Sequence, residues 1–256
     1  MKAYLCVYRH LRPPDRDLAR TEEAASGNPA LRRYLDAYGH GDSFYDWGDD
    51  PSFFAASEFL GDARNATWGV CRPDVRAALS TGDYVVFVCG KQPPRYARAW
   101  EYYFVSVATL GEGLSRETIW SDDRYSVYRR FFNVLARVDG SGLTQHEFVH
   151  RFHDNWRERA RAAYWLFDAN HTGLNLTSPL LLATYDGEPG QIERWHMSGD
   201  RVRDLHSMLL RGARPSRGLR STNIWQPHPK LNLSNGYRTD GELRDLRTKL
   251  LELVEE

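Results

Sequence analysis

Between residues 44 and 54 the chain reads Phe44-Tyr45-Asp46-Trp47-Gly48-Asp49-Asp50-Pro51-Ser52-Phe53-Phe54, which sets carboxylates among five aromatic rings. Rings in such a loop can stack on a flipped base, and a carboxylate beside them can stabilise positive charge on a sugar or activate water. The same residues also suit an Asx-rich turn, in which aspartates accept from local N–H groups above tucked-in rings. A second constellation, His146-Glu147-Phe148-Val149-His150, matches H-E-x-x-H. On a helix that spacing puts two histidines on one face to bind zinc, with the glutamate as base. Arg151 directly after the second histidine and the polar flanks count against zinc. For a third ligand there is only His153 or Asp154, too near in sequence for the usual arrangements. A solvated histidine-rich helix face is the plainer account. Asp168 lies in a polar stretch, Phe167-Asp168-Ala169-Asn170-His171-Thr172-Gly173, which reads as a turn and could reach a pocket.

These residues need elements to hold them. Residues 2–8 form an apolar, aromatic-rich run that predicts an opening strand. A short helix around residues 30–38 leads to a glycine- and aspartate-rich loop over 39–51. Pro73 opens a helix ending near Leu79, a place where its missing N–H does no harm. Thr81-Gly82-Asp83 turns the chain into a buried strand at 84–89, and a second strand follows at 101–109. Helices are predicted at 121–135 and 144–167, the latter from apolar residues 148, 152, 156, 163 and 166. A strand at 180–185 and amphipathic helices at 202–210 and 242–254 complete the reading. This order predicts an α+β chain with a small β-barrel or mixed sheet and added helices, rather than alternating βαβ units. At 256 residues one domain, 1–256, is the expectation.

Lys plus Arg and Asp plus Glu number 34 each, so no global field gathers DNA or anionic membranes, and any nucleic-acid contact must be local. Arginines cluster at 157–161 and 211–220, where they suit bidentate phosphate contact or simply a solvated face. Cys6, Cys71 and Cys89 lack a CxxC spacing, against a disulfide framework or thiolate zinc site. With no signal-peptide pattern and no apolar run of membrane length, a soluble cytoplasmic protein is expected. P-loop, dinucleotide and serine-hydrolase motifs are absent from the sequence.

A more specific signal comes from Trp68-Gly69-Val70-Cys71-Arg72-Pro73, followed by a helix, Gly82-Asp83, the strand at 84–88 and then Tyr103-Phe104-Val105-Ser106-Val107. This succession resembles the PUA-like barrel of ASCH and EVE domains, and most closely the second of the nucleotide-modification-associated domain families. That family carries an Asp-aromatic-Gly-x-x-Pro-x-Phe loop, which Asp46-Trp47-Gly48-Asp49-Asp50-Pro51-Ser52-Phe53 resembles. Its later Trp-x-Asp and Asp-Asn-aromatic stretches are similar to Trp120-Ser121-Asp122-Asp123-Arg124-Tyr125 and Asp154-Asn155-Trp156. The likeness covers about residues 40–190, leaving 200–256 as a helical C-terminal extension. Two places depart from the pattern: Cys89-Gly90-Lys91-Gln92 stands where the family has a small-residue turn, and residues 133–151 look inserted.

The resemblance implies DNA carrying modified bases as partner, in the setting of hypermodified phage genomes and anti-phage defence. The activity it favours is a DNA glycosylase that excises a bulky modified pyrimidine, such as glucosylated hydroxymethylcytosine, by hydrolysing the N-glycosidic bond. Asp46, then Asp50 and Asp168, would serve catalysis through an oxocarbenium-like state. Tyr45, Trp47, Phe53 and Trp68 would stack or gate, Arg72 and Lys91 would hold phosphate or the modification, and Asn155 would contact base or DNA. No cofactor is called for. A non-catalytic reader of the modified base is the alternative, and a zinc-dependent hydrolase using His146 and His150 a third.

Overall fold

The runs Ala3-Tyr4-Leu5-Cys6-Val7-Tyr8 and Tyr84-Val85-Val86-Phe87-Val88-Cys89 carry no charge, which suits strands buried on both faces. A computed structural model describes residues 1–9, 51–52, 66–91, 99–146, 155–175, 179–186, 195–196, 204–205, 207–209, 211 and 230–255. Both runs are strands there. In chain order the strands are β1 (Ala3–Arg9), β2 (Pro51–Ser52), β3 (Thr67–Trp68), β4 (Tyr84–Lys91), β5 (Ala99–Leu114) and β6 (Ala136–Asp139). They continue with β7 (Gly142–Gln145), β8 (Tyr164–Phe167), β9 (Gly173–Leu174), β10 (Leu180–Asp186), β11 (Trp195–His196) and β12 (Lys230–Asn232). The helices are α1 (Pro73–Ala78), α2 (Arg116–Ser121), α3 (Trp156–Arg161) and α4 (Asp240–Glu255). The architecture is α+β with a mixed sheet, and among the described residues the strands do not close into a barrel. No described helix is long and apolar enough to cross a membrane.

The chain divides into two compact units. Unit 1 comprises Met1–Leu11, Gly82–Thr109 and Asn170–Glu256. Its sheet runs β12-β1-β4-β5-β10-β11, with β1 and β4 parallel and the other pairs antiparallel. Period-two alternation turns Leu5, Val7, Tyr84, Val86, Val88, Tyr102 and Phe104 into one cluster, which α4 covers with Leu243, Leu246, Leu250 and Val254. Those four lie at helical spacing as one apolar stripe, flanked by the partly buried Leu251 and Leu253. The helix start is a capping box: Thr239 Oγ1 accepts from the Glu242 N–H at 3.2 Å, and the Glu242 carboxylate accepts from the Thr239 N–H at 3.3 Å.

Unit 2 comprises Arg12–Thr81 and Leu110–Ala169. It holds the antiparallel series β2-β3-β8 and residues 110–114 of β5, together with the β6–β7 hairpin, α1, α2 and α3. Two sequence expectations change here. Residues 123–130 and 132–134 are 3-10 turns, so the helix predicted over 121–135 is replaced by α2 and these tighter turns. The helix predicted over 144–167 is replaced as well: Thr144 and Gln145 belong to β7, among the described residues of the stretch only Trp156–Arg161 is α-helical, and Tyr164–Phe167 is a strand. Tyr-Trp-Leu-Phe is a strong β-former with partners on both sides, and pairing to β3 and β5 overrides a helical period that rests on a few apolar positions. Gly142, at φ 102°, permits the tight turn that starts β7.

Candidate functional site

The residues following Trp68 leave β3 as an irregular loop, and two buried arginines hold that loop in place. Arg76, on the inner side of α1, donates to five backbone carbonyls: Val70 at 3.1 Å, Cys71 at 3.1 Å, Arg159 at 2.8 Å, Ala162 at 3.2 Å and Ala163 at 2.5 Å. That uses every guanidinium donor. Arg116, at the start of α2, donates to Val134 O at 2.7 Å, Gly69 O at 2.9 Å and Ala162 O at 3.0 Å, and its guanidinium lies 5.2 Å from the centre of the Tyr164 ring. Burial pushes the Arg116 guanidinium down to about 10, still protonated at neutral pH. Both charges are met by carbonyl dipoles.

Beside them Thr67, Asn133 and Tyr164 close a ring of hydrogen bonds. Asn133 Nδ2 lies 3.1 Å from Thr67 Oγ1, and Tyr164 Oη lies 2.8 Å from Thr67 Oγ1 and 2.9 Å from Asn133 Oδ1. With one proton per hydroxyl, each group in the ring donates once and accepts once. Gly69 is required by close approach, since a Cβ there would stand 2.3 Å from Asn133 O and 2.4 Å from Tyr164 Cδ2. Arg72 and Leu135 take positive φ, 53° and 66°, values that cost energy for side-chain-bearing residues. The carbonyl just before each strained position is held by an arginine, Cys71 O by Arg76 and Val134 O by Arg116.

Helix α3 packs against α1 and the β6–β7 hairpin. Arg159 donates Nε to Asn155 Oδ1 at 2.7 Å and reaches half-buried Cys71 with Nη1 at 3.5 Å from Sγ. Trp156 joins Val70, Cys71, Leu135, Ala136, Leu143 and Ala160 in a small apolar cluster, and the Arg157 guanidinium lies 5.2 Å from the centre of its ring. On the other face of β6, Trp120 donates Nε1 to Ala136 O at 2.9 Å and is flanked by Arg129, Arg137 and His146.

Comparison with family models, with curated proteins and with solved structures finds no match for this chain.

Tyr45, Asp46, Trp47, Asp50 and Phe53 lie outside the described residues, as does His150. The chain enters β2 from their loop, and β2 pairs with β3 in the register Pro51 to Trp68 and Ser52 to Thr67. The end of the acidic aromatic loop thus meets the start of the Trp-Gly-Val-Cys-Arg-Pro motif. Trp68 is 1% exposed, so its ring belongs to the interior of unit 2. Arg72 is half-buried at the head of α1, Asn155 is exposed at the head of α3, and Asp168 is half-buried after β8. Lys91 ends β4 in unit 1, and its side chain lies outside the described residues. His146 is buried after β7, with Nε2 donating to Arg129 O at 2.5 Å. Among the described residues no three His, Cys, Asp or Glu side chains are grouped to hold a metal ion.

Sequence reasoning missed Arg76, Arg116, Thr67, Asn133 and Tyr164. Nothing local marks them, because arginine on a short helix ordinarily faces water. It also missed a groove of about 320 Å³ in unit 1, lined by Met208, Arg211, Tyr237, Glu242, Asp245 and Lys249 among others.

Proposed function

We propose that this chain recognises a bulky modified pyrimidine in DNA, such as glucosylated hydroxymethylcytosine, and excises it by hydrolysis. In that reaction the bond between sugar C1′ and the base nitrogen breaks, its electron pair leaves with the base, and water supplies hydroxide to C1′ and a proton to the base. Asp46, with Asp50 or Asp168 behind it, would stabilise the positive sugar or activate that water. The PUA-like reading of the fold belongs to the same proposal. It draws on the chain order β3, α1, Gly82-Asp83, β4 and β5, which is the order of the family the sequence resembles.

The observation that carries the reading is the β2–β3 pairing, which joins the exit of the acidic aromatic loop to the entry of the Trp68–Pro73 loop. The two motifs are separated in sequence, and a site needs them together. The buried arginines that pin the second loop support it further, because a base pocket must hold its irregular backbone without adjusting to each substrate.

The test is incubation with phage DNA bearing glucosylated hydroxymethylcytosine and with unmodified DNA, each with and without EDTA, scored for alkali-labile abasic sites. Breaks confined to modified DNA and indifferent to EDTA are expected, and Asp46→Asn should lower the rate by ~10²–10⁴. Modified DNA that is bound and left intact would make the chain a reader instead. EDTA-sensitive cleavage would point to zinc chemistry at His146 and His150, and Asp46→Asn at full activity would remove that residue from the mechanism.

A further inference from the structure

Arg157 occupies an unfavourable position. It is the second residue of α3, where a cation opposes the helix dipole, and it stands one turn before Arg161 on the same exposed face, where like charges repel. Among the described residues neither arginine forms an ion pair or a hydrogen bond. Glu158, the only acid on the helix, is engaged with Asn155 Nδ2 at 3.5 Å. What Arg157 does have is the Trp156 ring, 5.2 Å from its guanidinium carbon. A ring contact steadies a guanidinium and leaves its in-plane N–H groups open, whereas a carboxylate would consume them. Two forks one helical turn apart, unpaired among the described residues and one of them steadied by a ring, match the oxygens of a phosphodiester chain.

The location of α3 supports the same partner. Through Arg159 and Cys71 the helix is tied to the Trp68–Pro73 loop, and Asn155 stands at its head. We infer that the outer face of α3, with Arg157 and Arg161, is the surface on which unit 2 holds the sugar–phosphate backbone of DNA. The inference rests on the reading of the chain as a DNA-recognising protein and specifies where the backbone lies.

Arg137 provides the internal control. It too is exposed, without an ion pair among the described residues, and laid over a tryptophan, at 5.5 Å from the Trp120 ring. Yet strand alternation points it from the face of β6 opposite Ala136, and Ala136 packs in the cluster that includes Ala160 of α3. An exposed arginine with a similar ring contact on the far face should contribute nothing.

The experiment measures affinity for a duplex with and without glucosylated hydroxymethylcytosine across a salt series, for the full chain and for Arg157→Gln, Arg161→Gln, the double variant and Arg137→Gln. The slope of log affinity against log salt should shallow by about 0.9 for each of the first two substitutions and by about 1.8 for the double variant. The loss should be the same factor on both duplexes, since phosphate carries no base information. Arg137→Gln should keep the original slope, and the α3 variants should melt no earlier than the parent. An unchanged slope in the α3 variants, with modified DNA still bound, would overturn the backbone surface and leave base recognition standing. A loss confined to the modified duplex would overturn it too, by assigning the arginines to the modification. A chain that binds neither duplex, or binds a polyglutamate peptide in their place, would end both this inference and the reading beneath it.

Discussion

The interior of unit 1 is mainly hydrocarbon, built from Leu5, Val7, Val86, Val88, Phe104 and the Leu243–Leu246–Leu250 stripe of α4, with a few buried polar groups such as Ser106 and the Tyr84 phenol. The interior of unit 2 also buries apolar side chains, among them Trp68, Ile119, Phe131 and Trp165, but it contains Arg76 and Arg116, both 1% exposed or less, with a Thr67–Asn133–Tyr164 ring beside them. Long strands and an amphipathic helix satisfy most of their own backbone groups, so unit 1 depends mainly on matching apolar surfaces. Unit 2 keeps many of its residues in loops, 3-10 turns and positive-φ positions, whose carbonyls would be orphaned without a donor from a side chain. The arginines are those donors. An irregular backbone near a proposed site is thereby held by polar chemistry, where regular structure elsewhere is held by area.

The sharpest way to break this comparison is to replace Arg76 with a side chain of similar length and no donors. Arg76→Met should cost about 4–5 kcal/mol, because carbonyls of Val70, Cys71, Arg159 and Ala163 lose their side-chain partner at once. Leu246→Met in the apolar stripe of α4 should cost less than about 1.5 kcal/mol. Urea midpoints measure both, and equal losses would mean the two interiors do not differ in kind. Next in size, Tyr164→Phe keeps the ring against Arg116 and opens the hydrogen-bonded ring. About 1–2 kcal/mol should be lost on the same urea measurement, and no loss would show that Thr67 and Asn133 satisfy each other unaided.

The smallest effect is alkaline. Burial pushes the Tyr84 phenol of unit 1 and the Tyr164 phenol of unit 2 well above the ordinary range. A folded value raised above the unfolded one means stability fully present below about pH 10 and lost as pH climbs from there. Arg116 has the opposite sign: its lowered folded value makes its contribution grow with pH from about 10 upward, offsetting Tyr164 within unit 2. In unit 1 the phenols of Tyr84, Tyr103 and Tyr237 are all raised, burial being the first cause in each. At pH 10.5 each raised phenol should remove under about 1 kcal/mol. Tyr84→Phe should therefore flatten the decline of urea-derived stability between pH 9.5 and 10.5, and an unchanged decline would assign it elsewhere.

Much of unit 1 was legible in the sequence because its signals are local. β1, β4 and β10 are uncharged or nearly uncharged runs, and α4 carries its apolar residues at helical spacing; both patterns arise whenever a segment is buried on two faces or on one stripe. Pro73 similarly marked the start of α1 by its own covalent geometry. Residues 144–167 misled because a few apolar positions fitted a helical period, and the choice between helix and strand for Tyr164–Phe167 lay with the partners β3 and β5. The candidate site was legible as two motifs and no more. That Pro51 pairs with Trp68, that Trp68 is enclosed, and that Arg76 turns inward to carbonyls from residues 70, 71, 159, 162 and 163 depend on segments far apart in the chain. Residue type and spacing determine which segments can be buried. Only the tertiary structure decides which distant carbonyl a buried donor meets, because a hydrogen bond is a matter of ångströms in space and leaves no period in the sequence.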